Sequence, residues 1–264
     1  MFQSIILGII QGLTEFLPVS SSGHLVLAPY FFSWTDPGLA YDVSLHMGTL
    51  VAVLIFFWRD WVGLAKSAFS RTPAIKGELD FSMLIIGCIP AAVSGLLLND
   101  YAEHTFRHPI IVAVTLALFG GFLWYWDRRG TKERGFEALT LRDSLIIGCA
   151  QALAIVPGVS RSGVTITAAL ALGLTRPAAT RFSFLLSAPI IAGAGVLKSK
   201  YILEALAMGG EQAAAIVTGF MASLVSGLFA IWLLSYMIKG RTFAGFAIYR
   251  LILSLVIIAL FFSR

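Results

Sequence analysis

The chain has 264 residues, of which 58% are hydrophobic and only 12% charged, with a formal net charge of +5. Ordinary soluble domains carry about 25% charged residues, so this composition argues against a soluble globular enzyme and for a protein that lives in a bilayer. The basic excess lies mainly between apolar runs, which assigns it to lipid headgroups and topology rather than to nucleic acid.

In chain order, residues 2–17 are apolar but shorter than the ~20 residues a spanning helix needs, and they run into Pro18 and Ser20-Ser21-Ser22-Gly23. This predicts the first arm of a re-entrant hairpin, whose irregular tip must be packed in protein or line a cavity. No Lys or Arg precedes the run and no small-residue cleavage site follows it, so no signal peptide is expected. Spans are predicted near 41–58, 82–98 and 109–126. Residues 144–157 are again short and end at Pro157-Gly158, which predicts a second hairpin arm. Further spans are predicted near 182–197, 213–237 and 244–262. Cys88 and Cys149, both in apolar segments, read as small buried side chains with no disulfide between them. Gly120-Gly121 and Gly193/Gly195 are expected to let helices approach closely, and Trp58, Trp61, Trp124 and Trp126 to anchor span ends at the interface.

Two stretches are copies. GIIQGLTEFLPVSSSGHL (8–25) and GCAQALAIVPGVSRSGVT (148–165) align without gaps at an offset of 140 (148 less 8). They share Gly8/Gly148, Gln11/Gln151, Leu13/Leu153, Val19/Val159, Ser20/Ser160, Ser22/Ser162 and Gly23/Gly163. A second echo pairs Val93-Ser94-Gly95-Leu96 with Val225-Ser226-Gly227-Leu228. The organisation expected is one membrane domain: repeat one at 1–126, a connector at 127–143, and repeat two at 144–264. The loops 59–81 (Arg59, Lys66, Arg71, Lys76) and 127–143 (Arg128, Arg129, Lys132, Arg134, Arg142) are basic, and Lys239 and Arg241 mark another basic turn. Loop 99–108 has only Arg107. The positive-inside rule puts the basic loops in the cytoplasm and 99–108 outside. One hairpin and three spans per repeat then invert the second copy relative to the first. The fold class is thus an all-α integral membrane protein with inverted repeats, about six transmembrane helices and two re-entrant hairpins, as in proteins that build a central site from paired broken helices.

The copies differ where chemistry needs them to differ. The first carries Glu15 and His24, the second Arg161. Gln11 and Glu15 are four apart and share a helix face. A carboxylate flanked by Leu13, Phe16 and Leu17 is costly in a membrane segment, which marks Glu15 as functional. Ser20, Ser21, Ser22 and Gly23 offer N–H and hydroxyl donors to a phosphate, the more so at a helix start. They also fit simple capping of the next helix. His24 is a proton carrier near neutral pH. Arg161, between Ser160 and Ser162, can bind phosphate oxygens in a bidentate fork. Thr165 adds a hydroxyl one turn on, and Gln151 mirrors Gln11. Asp42 and His46, four apart at the start of a span, are open to either the site or the interface, and His104 and His108 read as solvated.

The string Gln11-Gly-Leu-Thr-Glu15-Phe-Leu-Pro-Val-Ser-Ser-Ser-Gly-His24 resembles the (Glu/Gln)-x-x-x-Glu plus Pro-x-Ser-x-x-Gly-His signature of the bacterial undecaprenyl-diphosphatase, or bacitracin-resistance, family. Pro157-Gly-Val-Ser-Arg-Ser-Gly-Val-Thr165 is similar to its second signature, Pro-Gly-x-Ser-Arg-Ser-x-x-Thr, and Arg181-Phe-Ser-Phe-Leu-Leu-Ser187 also fits. The resemblance covers nearly the whole chain. It implies a membrane hydrolase that converts undecaprenyl diphosphate to the monophosphate lipid carrier of cell-wall synthesis, with bacitracin resistance on overproduction. It also implies a bacterial cytoplasmic (inner) membrane location, an active site open to the periplasm, and a divalent cation, Mg2+ or Ca2+. Glu15 would either bind that cation or accept the proton of Ser21 as nucleophile, and His24 would be the general acid/base or the rival nucleophile. Catalysis would fall to Ser21, Glu15, His24 and Arg161. Ser20, Ser22, Gly23, Ser160, Ser162, Thr165, Gln11 and Gln151 would bind substrate. Gln11 holds the first motif position, so that motif has one carboxylate here.

Two alternatives stand beside this reading. Inverted repeats with broken helices also build transporters and lipid flippases. Ser22-Gly23-His24 resembles the Ser-Gly-His of phosphatidic-acid-type phosphatases, but no suitably spaced His or Asp follows Ser160-Arg161. The oligomeric state stays open between monomer and homodimer. The charge pattern makes the orientation testable: a cysteine at Glu103 is expected to react with an impermeant thiol reagent in intact cells, and one at Lys132 is not. The reverse labelling would invert the topology.

Overall fold

The computed structural model describes residues 1–69 and 80–263, so Arg71 and Lys76 of the basic loop lie outside the described residues. The chain is helical almost throughout, with no strand among the described residues beyond an isolated bridge between Arg134 and Leu174. The helices are α1 (Phe2–Phe16), α2 (Ser21–Phe32), α3 (Leu39–Phe56), α4 (Trp58–Phe69), α5 (Phe81–Leu97) and α6 (Asn99–Glu103), followed by α7 (Pro109–Arg129), α8 (Leu141–Ala152), α9 (Arg161–Ala171), α10 (Arg176–Ala207), α11 (Gly210–Met237) and α12 (Ala244–Ser263). Five of them, α3, α7, α10, α11 and α12, are long and apolar enough to cross a membrane; α5 is apolar but has 17 residues. The protein is therefore a multi-pass all-α membrane protein.

Each predicted span contains a helix, with boundaries set by local chemistry. Helix α10 starts at Arg176, earlier than the expected 182, because Thr175 caps it by accepting from Ala178 N and proline follows in the first turn. Thr140 and Asp143 form a capping box that starts α8. The loop expected at 59–81 begins with a helix, α4. Loop 99–108 is not wholly solvated: Arg107 forms paired bonds to Asp36 (Nε–Oδ2 3.0 Å, Nη2–Oδ1 2.7 Å) and another to Asp42 Oδ2 (2.7 Å). His104 and His108 are both exposed as expected, and His108 also accepts from Ile110 N and caps α7. Cys149 faces outward rather than being buried, and Cys88 is half-buried. Trp58 and Trp124 point outward as anchors would, whereas Trp61 and Trp126 pack on the core.

The two hairpins are α1–α2 and α8–α9. Each first arm packs on a span from the other half of the chain: α1 on α11, and α8 on α5. Glycine allows both approaches. A Cβ at Gly8 would lie 2.4 Å from the Gly219 carbonyl oxygen, and one at Gly148 would lie 2.4 Å from that of Gly87. Gly12 makes a similar contact with the backbone of Ser223 and Gly227. Of the other glycines expected at contacts, Gly120 meets Arg250 and Gly195 meets Met47, while Gly121 and Gly193 face open space.

Gly148→Ala forces methyl against backbone that cannot yield. Overpacking costs about 1–3 kcal/mol, more than the ~0.5–1 kcal/mol that alanine gains over glycine inside a helix. Thermal unfolding in detergent is expected to show a lowered midpoint for Gly148→Ala and none for Gly121→Ala. Equal midpoints would mean that α8 and α5 do not touch as described.

Candidate active site at the hairpin tips

Both tips are built alike. Ser20 and Ser160 sit at positive φ, 78° and 71°, a conformation rare for residues other than glycine. Each caps the helix after it: Ser20 Oγ accepts from Gly23 N (3.2 Å), and Ser160 Oγ accepts from Gly163 N (3.0 Å). The strained turn stops the first arm and aims the next helix inward. Ser21 and Arg161 are consequently the first residues of α2 and α9, where free N–H groups and the helix dipole favour anions.

The tips are bonded to each other. Ser20 Oγ also accepts from Gly158 N (3.0 Å), and Ser162 Oγ donates to the Leu17 carbonyl (3.1 Å). Ser22 reaches Ser20 Oγ at 3.4 Å, and Ser160 and Ser162 are 3.3 Å apart. Gly23 lies against Gly158, with 3.4 Å left for a Cβ.

Glu15, 4% exposed, is the centre of the polar cluster. Its Oε2 accepts from Ser21 Oγ (2.6 Å) and Gln11 Nε2 (3.0 Å), and lies 3.3 Å from His46 Nε2. Its Oε1 accepts from Arg161 Nη2 (2.8 Å), so the ion pair joins the two halves of the chain. Arg161 Nη1 donates to the Ser183 carbonyl (2.8 Å), and Thr165 Oγ1 lies 2.7 Å from Ser183 Oγ. The structure thus brings together Glu15, Ser21, Gln11, Arg161 and, through Ser183, Thr165.

Other sequence candidates sit apart. His24 Nδ1 is 2.7 Å from the Ser20 carbonyl and Nε2 is 2.7 Å from Tyr249 Oη, with the two rings stacked. His24 therefore faces α12 rather than Glu15. Gln151 donates to the Gly87 carbonyl on α5 (3.3 Å), which is the helix-bridging bond expected of such a residue rather than a contact with the cluster.

The donors at Glu15 do not fit a resident metal ion. Among the described residues no group of three or more His, Cys, Asp or Glu side chains is gathered as a cage. Glu15 is a single carboxylate with arginine on one oxygen and three donors on the other. Gln11 Oε1, buried without a partner, is the acceptor left over in this cluster.

Three participants were not assigned to the site by sequence alone. His46 faces the site; the spacing from Asp42 left that open. Ser183 lies in the Arg181–Ser187 stretch that fits the family resemblance, but its residues carried no assigned role. Arg250 is fully buried and holds both tips from behind. Its Nη2 donates to the carbonyls of Gly158 (2.8 Å) and Val159 (3.0 Å), Nε to Leu116 (3.2 Å) and Nη1 to Pro18 (3.4 Å). An arginine in the middle of the apolar run 244–262 was a signal by the same rule that singled out Glu15.

The family model described as bacitracin resistance protein BacA matches residues 4–256. The chain is 46% identical over 264 residues to an undecaprenyl-diphosphatase of Pelotomaculum thermopropionicum, covering 100% of this chain and 98% of that one. It is 47% identical to proteins of the same description from Moorella thermoacetica (265 residues) and Gemmatimonas aurantiaca (268 residues), covering 100% of this chain and 99% of each.

Removing the clamp behind the tips is expected to cost stability. Arg250→Met leaves buried carbonyls unpaired, and each orphaned group costs about 1–3 kcal/mol. The variant's unfolding midpoint in detergent should fall by several degrees, a loss of roughly 3 kcal/mol or more. An unchanged midpoint would show that the carbonyls are satisfied without Arg250.

Proposed function

Because the chain belongs to the bacitracin resistance protein BacA family, we propose that it is an undecaprenyl-diphosphatase, a membrane hydrolase that converts undecaprenyl diphosphate to undecaprenyl phosphate and inorganic phosphate. The observation that carries the mechanism is the Ser21–Glu15–Arg161 arrangement: a hydroxyl already donating to a buried carboxylate, beside a guanidinium at a helix N-terminus. A phosphoanhydride needs that set, namely a nucleophile, an acceptor for its proton, and fixed positive charge for the phosphoryl oxygens.

In the first step the Ser21 O–H bond breaks and its proton passes to Glu15 Oε2. The Oγ–P bond forms, and the bridging P–O bond breaks with its electron pair leaving on undecaprenyl phosphate. Arg161 and the N–H groups at the starts of α2 and α9 hold the phosphate oxygens. Thr165 and Ser183 keep Arg161 in place, and Ser20, Ser160, Ser162 and Gly23 keep the tips together. In the second step the oxygen of a water bonds to phosphorus as the Oγ–P bond breaks. Ser21 Oγ takes its proton back from Glu15, and the hydrogens of the water leave with the phosphate, while His24 faces Tyr249 and takes no proton in this scheme. His24 as nucleophile is the weaker reading, since both its ring nitrogens are engaged. The divalent cation that the resemblance implies would supply charge neutralisation for the diphosphate. Among the described residues Glu15 is the one carboxylate at the tips, and no residue set there would hold the cation as a resident ion.

An apolar cleft of about 450 Å³ between α3, α5 and α10, lined by Leu54, Trp61, Leu84, Ile85, Cys88 and Pro189, suits the polyprenyl tail. The inverted-repeat topology, the bacterial inner membrane, the periplasmic opening and a homodimer belong to the same proposal. The exchange of packing partners between the halves, α1 with α11 and α8 with α5, supports the repeat relation.

The test is phosphate release from undecaprenyl diphosphate by the purified chain, with and without chelator. Ser21→Ala is expected to lose several orders of magnitude in rate and Ser22→Ala far less. A Ser21→Ala variant keeping more than about a tenth of normal turnover, a loss under ~1.4 kcal/mol, would reduce Ser21 to a phosphate ligand.

A further inference from the structure

We propose that His46 is a positioning residue that holds Glu15 as the proton acceptor throughout turnover; this rests on the hydrolase reading above. Glu15 is gripped at both oxygens, by Arg161 on Oε1 and by His46, Ser21 and Gln11 on Oε2. Two of those partners are committed elsewhere during the reaction. Arg161 must share its guanidinium with the phosphate, and Ser21 gives up its proton and becomes bonded to phosphorus. His46 and Gln11 have neither task, and Gln11 is the less fixed of the two, its Oε1 having no partner.

His46 is itself fixed. Its Nδ1 lies 2.7 Å from the Asp42 carbonyl oxygen, which can only accept, so Nδ1 carries a hydrogen. Its Nε2 faces a carboxylate oxygen, which also only accepts, so the attractive arrangement has an N–H there too. With both nitrogens engaged, the ring cannot turn away. The turn that carries it is anchored from outside: Asp42 accepts from Arg107, which also grips Asp36. The result is a line from the 99–108 loop through α3 to the carboxylate: Arg107, Asp42, His46, Glu15, Ser21. The order resembles a catalytic triad with the carboxylate in the middle, where the outermost group orients the base rather than taking the proton.

Groups on the helices packed against α3 are engaged elsewhere. Across α11, Ser223 is spent on the Leu45 carbonyl. On α10, Gly195 packs against Met47, and the Lys198 ammonium lies over the Tyr201 ring. A carboxylate that swings when Arg161 leaves would lose its alignment with Ser21, and misalignment of about 1 Å can cost 100-fold. Such a fault lowers kcat and leaves substrate binding alone.

The test compares His46→Gln, His46→Leu and His46→Met in the purified full chain, by phosphate release from undecaprenyl diphosphate. Glutamine keeps an N–H at similar reach; leucine and methionine have none. Glutamine is expected to stay within about threefold of wild-type kcat, and leucine and methionine to fall about 10–100-fold, with KM within about twofold in all three. Unfolding midpoints near wild type confirm that the folds are intact; should His46→Leu not fold, His46→Met makes the comparison. Wild-type kcat in the leucine or methionine variant, an equal loss in the glutamine variant, or a loss confined to KM overturns the proposal. A wild-type chain that releases no phosphate overturns the hydrolase reading instead, and this inference with it.

Discussion

A carboxylate inside a membrane protein persists only where donors and cations surround it, and Glu15 meets that condition only because two hairpins touch. The Glu15–Arg161 ion pair spans 146 positions of sequence and joins the two copies of the repeat. Removing one member of a buried pair typically costs 3–5 kcal/mol, since the other is left stranded. The pair therefore holds the halves together and exposes them to each other's errors. The surrounding structure keeps the pair at bonding distance. Ser20 and Ser162 tie tip to tip, and Arg250 gathers the carbonyls behind them.

The rigidity comes from backbone rather than from large side chains. Lipid tails are as apolar as leucine, so helices gain little by burying leucine on leucine; close approach and hydrogen bonds hold them instead. Gly8 on Gly219 and Gly148 on Gly87 supply that approach for both first arms. Each arm ends in a serine at positive φ, and that turn sets the direction of the helix that follows. Ser21 and Arg161 thus sit on helix starts, whose positions are fixed by the packing of helices away from the tips.

Much of this was legible in the residues. Hydrophobic runs found the spans, and Pro18 and Pro157 with their Ser/Gly neighbours found the tips. Among the many positions where the copies differ, Glu15, Ser21 and Arg161 stand out as polar or charged. The helix ends were less legible, as in α10, where Thr175 and the proline after Arg176 start the helix before the apolar run begins. Facing was the least legible. Helix α3 is apolar almost all round, so no stripe tells which side meets α1, and His46 could not be placed by spacing alone. Gln151 has the same sequence context as Gln11 yet reaches α5, because its own half has no carboxylate opposite. Arg250 stands outside the two matched stretches, and its signal is of another kind: a cation in the middle of an apolar run.

The matched serine turns have a consequence for symmetry. Ser20/Ser160 and Ser22/Ser162 are common to both tips, but the bonds that join the tips are not reciprocal: Ser20 Oγ accepts from Gly158 N, and the position matching Gly158 is Pro18, which has no N–H. Were position 21 alike in both copies, the pair would offer serine with no cation or arginine with no hydroxyl. The polar cluster at Glu15 therefore depends on two tips that share a turn and differ in what they carry.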